Sequence, residues 1–556
     1  MTDLLSGPAR PIIVLLLGAL AIGLLDRLPR PRDKGILLAL LVTDGTLALL
    51  SLRARLPLHV VLGQWRDLSL LEFDWGLGVD NLAFLFAAAM LFVALALSLA
   101  AVGRPPIPRA PLLALLAAGL GFIFATDLIT LSASGFLLDL AFAWAVVSVD
   151  GTAGGRRPAA CAVGLGGLAN LAFLTAALVL RLAGHFPSLD LALSSPGALF
   201  LVTLAVLIRL GVYPLYLWLP SQVKGTPTTR AWLHLAPVVT GLWLPARLHA
   251  LTSSSSPWPP FFLTLGGVGF LAAALLAWGE TRPERILSWA IVARLGYALI
   301  LLTLGTPPAP TAINLLLGVT LLFVAPSFAA NWRKASTRWG RWRWVVEIPT
   351  AVGVGMLAGV PGTLDFAGRS ALYRALLAQG PMSLLAASLL AESLLTAALL
   401  RAWFTADDGS QEERENSGHA LARWFTLGTV ILLTGSGLLL GLHPPLLGRL
   451  FSGAVAIPSL FTVLQGITLA QAAAITLPLV GGIALHYYRA GIWERVASYW
   501  DITGTILRLE WLARAASAPW SAGRELLRAA GEISAGQGYL GWVFLIGLLV
   551  LLFALR

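Results

Sequence analysis

LVTLAVLIRLGVYPLYLWLP, residues 201–220, is apolar over the length of a membrane-crossing helix, yet it carries Gly211 and Pro214 inside the run and Arg209 just before them. A helix needs about 20 apolar residues to cross hydrocarbon. A proline within it removes a backbone hydrogen bond that lipid cannot replace. An arginine at that depth is costly unless it faces the protein interior. A second stretch repeats the pattern. VGMLAGVPGTLDFAGRSALYRALL, residues 354–377, is interrupted by Gly359, Pro361 and Gly362 and carries Arg369. Paired interruptions in corresponding halves are the sequence signature of inverted structural repeats. Two incidental proline kinks would read the same way from these residues alone.

Working outward, apolar stretches of spanning length recur along all 556 residues, of which 58% are hydrophobic and 12% charged. Soluble domains carry about a quarter charged residues, and the mean hydropathy of +0.82 leaves too little polar surface to cover a water-soluble fold. The expected architecture is an all-α polytopic membrane protein. About sixteen spans are predicted, near 11–27, 35–52, 80–103, 111–126, 128–149, 159–182, 197–218, 229–250, 260–279, 285–305, 310–330, 344–362, 380–404, 424–443, 468–488 and 538–555. The breaks then fall in the seventh and twelfth spans, five apart, with spans 4–8 and 9–13 as two five-helix units. Because span follows span, the first is expected to be a true crossing and not a cleaved leader.

The net charge of +11 does not form one patch. Arg27, Arg30, Arg32 and Lys34 follow the first span, Arg156 and Arg157 the fifth, and Arg333, Lys334, Arg338, Arg341 and Arg343 the eleventh. Loops after the fourth and tenth hold no Lys or Arg. Positive loops stay in the cytoplasm, so both termini are expected on the non-cytoplasmic side of a cell inner (plasma) membrane. Arg53, Arg55 and Arg66 in the second loop run against this assignment. Nucleic acid is not expected as a partner. Cys161 is the single cysteine and the seven histidines show no metal-ligand spacing, so no metal is expected. Neither a phosphate loop nor a dinucleotide fingerprint occurs, and no cofactor is expected.

Residues 489–537 differ from the rest: charged and apolar residues mix, with Ile502, Ile506, Leu509 and Ala513 on one helical face. The segment is too polar to cross. It reads as a lateral amphipathic helix, broken near Pro519, on the cytoplasmic surface. The predicted organisation is N-terminal helices at 1–110, five-helix units at 111–250 and 260–404, peripheral helices at 424–488, the lateral segment at 489–537 and a last helix at 538–556. The acidic run 407–415 reads as a solvated loop.

The stretch RLGVYPLYLWLPSQVKGTPTTRAWLHLAPVVTGLWLPAR, residues 209–247, resembles the signature of the antiporter-like membrane subunits of complex I and the multisubunit cation/proton antiporters. Arg209, Pro214, Trp218, Leu219, Pro220, Gly225 and His234 fall without a gap on the family pattern K-S-A-x-x-P-x-x-x-W-L-P-D-A-M-x-G…H. ERILSWAIVARLGY (284–297), GVPGTLDFAGR (359–369), against G-x-P-x-x-x-G-F-x-S-K, and GVDNLAFLF (78–86) match further family motifs in the same order. A lateral helix between the last two spans is similar to the distal, subunit 5-like member of complex I. The resemblance implies a non-redox subunit, possessing neither cofactor nor metal, that passes protons or monovalent cations along buried charged residues at the membrane midplane. It also implies other membrane or peripheral subunits as partners. One relative pairs with a zinc-containing carbonic-anhydrase-like protein in inorganic-carbon uptake, and a scaffold without transport is a third reading.

The sequence departs from the family at nearly every relay position. Arg209 and Arg369 stand where the family keeps lysines. The fifth-span glutamate aligns with Phe136, with Asp139 one turn further on. The eleventh-span histidines and lysine align with Leu315, Val319 and Phe323, leaving only His234 of the central relay. Arginine does not release its proton under ordinary conditions. Two readings stay open: Arg209 and Arg369 as fixed charges with Asp139, His234 and Glu392 as titrating partners, or a degenerate channel that has kept the fold. Asp139 is expected in direct or one-water contact with Arg209, Arg294 reads as structural, and Glu392 and Arg401 are each taken alone. Pro214 and Pro361 mark the helix breaks.

Overall fold

The computed structural model describes residues 7–26, 34–65, 73–102, 107–189, 195–216, 223, 225–248, 259–306, 309–335, 343–405, 420–450 and 458–509. The chain divides into two compact units, residues 1–491 and 492–556. The last predicted span, the lateral segment beyond residue 509, the acidic loop 407–415 and the continuation of the seventh span through Trp218 and Pro220 lie outside the described residues.

Helices α1 (Ala9–Leu25) and α2 (Lys34–Leu50) lead into strands β1 (Leu58–Trp65) and β2 (Phe73–Val79). Then come α3 (Asn81–Ala100), α4 (Arg109–Ile123), α5 (Leu128–Val149), α6 (Ala153–Leu182), α7 (Pro196–Leu210) and α8 (Pro227–Arg247). The second half holds α9 (Pro259–Gly279), α10 (Pro283–Thr303), α11 (Ala309–Ala335), α12 (Arg343–Ala358), α13 (Phe366–Gln379) and α14 (Met382–Thr405). Five more follow: α15 (Ala420–Leu442), α16 (Pro445–Leu450), α17 (Leu460–Gln465), α18 (Leu469–Tyr487) and α19 (Arg489–Leu507). Among the described residues, nine helices are long and apolar enough to cross a membrane, and shorter apolar helices accompany them. The protein is a multi-pass, mostly helical membrane protein.

Local chemistry sets the helix starts. Asp80 accepts from the Ala83 N–H at 2.8 Å, and Asp127 accepts from the Ile129 and Thr130 N–H groups at 2.9 Å. Thr226 caps α8 just before Pro227, and Thr468 with Gln471 forms a capping box on α18. Each satisfies orphan N–H groups of a first turn. α10 is buried on all sides, packed on α9 and α14, as a helix apolar around its whole circumference requires. By contrast α1 and α18 turn Leu17, Leu20, Val480 and Ile483 outward, the surface that a lipid-facing helix presents.

Two features correct the sequence reading. The fold is not purely α: β1 and β2 pair antiparallel, Leu58 opposite Val79. LHVVLGQW and FDWGLGV are rich in β-branched and aromatic residues and too short to cross, a pattern of strands. The hairpin is tied down where the Thr126 hydroxyl donates to the Gly76 carbonyl at 3.0 Å and the Gly78 N–H to the Phe124 carbonyl at 2.7 Å. Second, α6 starts at Ala153, six residues earlier than its apolar run at 159, so Arg156 and Arg157 lie on its exposed first turns and not in a loop. Pro158 is the sixth residue of this helix and removes one of its i→i−4 backbone hydrogen bonds.

Candidate functional site

α7 stops at Leu210, and Gly211 takes the left-handed conformation (φ 68°) that ends a helix cheaply only with glycine. Arg209 therefore sits in the last turn, its side chain among α5 and α6. Its Nη1 donates to Asp139 Oδ1 at 2.6 Å and its Nη2 to Asp139 Oδ2 at 2.8 Å. Nη2 also donates to Asn170 Oδ1 at 2.7 Å, and Asn170 Nδ2 donates back to Asp139 Oδ2 at 2.8 Å. The Asn170 carbonyl accepts from Ser132 at 2.8 Å. Asp139 lies midway along α5, and its buried position contrasts with Phe136, whose ring is on the outer surface. One positive and one negative group thus cancel inside the bundle through a bidentate fork, the geometry in which a buried pair is tolerated.

The closeness depends on missing side chains. A Cβ at Gly135 would run into Asn170 Oδ1 and Arg209 Nη2, and one at Gly166 would fall on the Asp139 carboxylate. The Arg209 guanidinium lies 5.4 Å from the Phe122 ring centroid, a cation–π contact. A cavity of about 20 Å³ borders the pair, lined by Asp139, Gly166, Arg209 and Thr240 among others. That is room for a water molecule with polar partners.

The second site is built on the other break. α12 ends at Ala358, Gly359 has φ 63°, and α13 begins at Phe366. The last carbonyls of a helix lack partners and carry its negative dipole end, and here side chains meet them. Asn314 Nδ2 donates to the Met356 carbonyl at 2.6 Å, Arg294 donates to Leu357, and Arg369 donates to Ala358 and, at 3.3 Å, to Gly359. Arg294, midway along α10, also holds Glu392, midway along α14: Nη1–Oε1 is 3.0 Å and Nη2–Oε2 is 3.2 Å. Arg369 Nη2 stands 3.7 Å from Glu392 Oε2, and Arg294 Nη1 3.8 Å from Asp365 Oδ2. Thr311 donates to Asp365 Oδ1 at 2.7 Å. Two arginines and two carboxylates balance in charge. The hydroxyls of Tyr297, Ser370 and Tyr373, with Asn314 Oδ1 and Arg369 Nε, are buried without a hydrogen-bond partner.

The structure brings Asp139 to Arg209 and Arg369 to Glu392, while His234 bonds to neither pair. Its Nδ1 donates to the Arg230 carbonyl at 2.8 Å, its ring stacks on Phe323 at 5.7 Å, and Nε2 is buried without a partner. Leu315 and Val319 line the small cavity of about 10 Å³ beside it, at the edge of what one water needs. Pro214 and Pro361 lie in the non-helical turns after α7 and α12. Arg401, taken alone from sequence, donates to the Trp278 and Ala277 carbonyls at the end of α9, at 2.8 and 3.1 Å. The sequence reading does not single out Asn170, Thr311 or Asp365, and it gives Arg294 a structural role only. The available signal for Asn170 and Arg294 is a polar side chain midway along an otherwise apolar helix. Asp365 even lies inside the matched motif, where the family pattern has glycine. Among the described residues no cluster of His, Cys, Asp and Glu is arranged to hold a metal ion.

Residues 159–396, which include both breaks and most of both charge clusters, match the family described as NADH:quinone oxidoreductase/Mrp antiporter, transmembrane. NADH-quinone oxidoreductase subunit L of Pseudomonas aeruginosa is 29% identical over 273 residues, covering 45% of this chain and 43% of that protein. A protein of Rhizobium meliloti described as a probable K(+)/H(+) antiporter component is 26% identical over 271 residues, covering 44% of this chain and 26% of that protein. The chain thus spans less than half the length of these curated relatives. Among solved structures, the Mrp complex from a Dietzia species superposes over 100% of this chain and 62% of the matched chain, with a TM-score of 0.76 at 17% identity. A chain of an archaeal membrane-bound sulfane sulfur reductase superposes over 83% and 99%, at TM-score 0.64 and 16% identity. At those identities the likeness is one of fold. These relatives and neighbours are subunits of multisubunit membrane complexes.

Proposed function

We propose that this chain is the antiporter-like subunit of a multisubunit complex that moves protons or monovalent cations across a bacterial inner membrane. The observation that carries the reading is the pair of broken helix ends, each meeting buried charge: Arg209–Asp139 after α7 and Arg369, Arg294, Glu392 and Asp365 around the break after α12. Non-helical backbone and paired charge at membrane depth are kept where ions or water must pass. Asp139, Arg209, His234, Arg369 and Glu392 are the residues we assign to that path, with the arginines as fixed charges. In the same reading residues 111–250 and 260–404 are inverted repeats of five helices within about sixteen spans, and both termini face the non-cytoplasmic side. Membrane or peripheral subunits complete the complex.

The test is purification of the tagged chain in mild detergent followed by reconstitution of what comes with it into liposomes. Co-purifying membrane subunits and a proton or cation flux driven by an imposed gradient are expected. A chain that purifies alone, or an intact complex that carries no flux under any ion gradient, contradicts the reading.

A further inference from the structure

The arginines cannot give up a proton, so any proton held at the second site resides on a carboxylate or a neutral side chain. The two carboxylates differ sharply in how they are held. Glu392 has both oxygens engaged by one guanidinium, at 3.0 and 3.2 Å. Asp365 has one hydrogen bond from a neutral hydroxyl, Thr311, and its Oδ2 stands 3.8 Å from Arg294 Nη1, beyond hydrogen-bond reach. Neither arginine turns a hydrogen bond toward it. Arg294 gives its Nη groups to Glu392 and the Leu357 carbonyl, and Arg369 caps the Ala358 and Gly359 carbonyls. A carboxylate buried to 1% exposure without a charge-assisted bond is the group in this cluster whose ionised form is least supported.

We propose that Asp365 is the proton-binding residue of the second site, with Arg294 locking Glu392 in its ionised form beside it. This deepens the translocation reading and rests on it for its physiological meaning. The groups that face Asp365 are Arg294 and Tyr297 from α10, Thr311 from α11, Arg369 from α13 and Glu392 from α14. The step is a simple exchange: hydronium gives one proton to Oδ2, an O–H bond forms, and water is left. The cluster then passes from balanced charge to one net positive charge, so a change of charge nearby favours either uptake or release. Pro361, four residues before Asp365 in the break, is exposed, and Val360 and Gly362 beside it are half-buried.

The experiment is infrared difference spectroscopy of the purified complex between neutral and acid pH, following the C=O stretch of protonated carboxyl groups. Asp365→Asn should remove one band from the acid-minus-neutral spectrum. Asp365→Glu should keep the band at a displaced frequency, and it serves if the asparagine variant does not assemble. A band that survives Asp365→Asn, or is unmoved in Asp365→Glu, overturns the proposal. The spectrum reads proton binding without transport. Flux measured on the same samples therefore separates failure of this assignment from failure of the translocation reading.

Discussion

The charge sites at the two breaks use the same side-chain chemistry with opposite tightness. After α7, one arginine meets one carboxylate at 2.6 and 2.8 Å, and Asn170 closes the ring between them. After α12, two arginines are shared among two carboxylates and four backbone carbonyl contacts lie along the break, with ion contacts relaxing from 3.0 to 3.8 Å. Among the described residues the first arrangement leaves Arg209 Nε without a hydrogen-bond partner, whereas the second leaves several such groups. A fork with both carboxylate oxygens and both terminal guanidinium nitrogens matched resists rearrangement; a cluster with an under-bonded carboxylate and orphan hydroxyls can change its protonation at small structural cost. The first site is the more tightly held part of the path and the second the readier to exchange charge.

The contrast is broken most forcefully by isosteric neutralisation. Asp139→Asn leaves Arg209 buried with no counter-charge, and about 3–5 kcal/mol of stability should be lost, as for other severed buried pairs. Thermal or denaturant unfolding of the purified complex reads this directly. Glu392→Gln should cost less, about 1–3 kcal/mol, because Asp365 is near enough to take over Arg294. Equal losses in the two variants would mean that the second site is as closed as the first.

Smaller changes sharpen the same comparison. Gly166→Ala drives a methyl group onto the Asp139 carboxylate, and overpacking of that kind costs about 1–3 kcal/mol. Replacing Arg209 by lysine in that background should not recover the loss if the fork is what the glycine accommodates. The weakest effect should be at Arg247, whose pair with Asp80 joins α8 to the N-cap of α3 with both side chains about a third or more exposed. Arg247→Ala should change stability by less than about 1 kcal/mol, and by still less at high salt.

Much of this is legible in the sequence. Apolar runs with capping residues and prolines locate the helices, and Gly211 and Gly359 sit where glycine and proline interrupt apolar runs. Asp139 is legible as the partner of Arg209 because an unpaired arginine at that depth is untenable. The second site is only half legible. Glu392 and Arg294 are 98 residues apart in sequence, and nothing in either helix's local pattern says that the two face one another. Asp365 is hidden inside a motif that matches through Gly359, Pro361 and Phe366 and not through its acid. The hairpin at 58–79 escapes for another reason: seven- and eight-residue runs between two long apolar helices carry little periodic signal.

The most direct test is ion flux in liposomes carrying the purified complex, comparing wild type with Glu392→Gln at matched levels of assembly. The account predicts a loss of about tenfold or more, the effect of about 1.4 kcal/mol on the rate-limiting barrier, with the complex intact. Wild-type flux in an assembled Glu392→Gln complex would show that Glu392 takes no part in the ion path and would contradict the account.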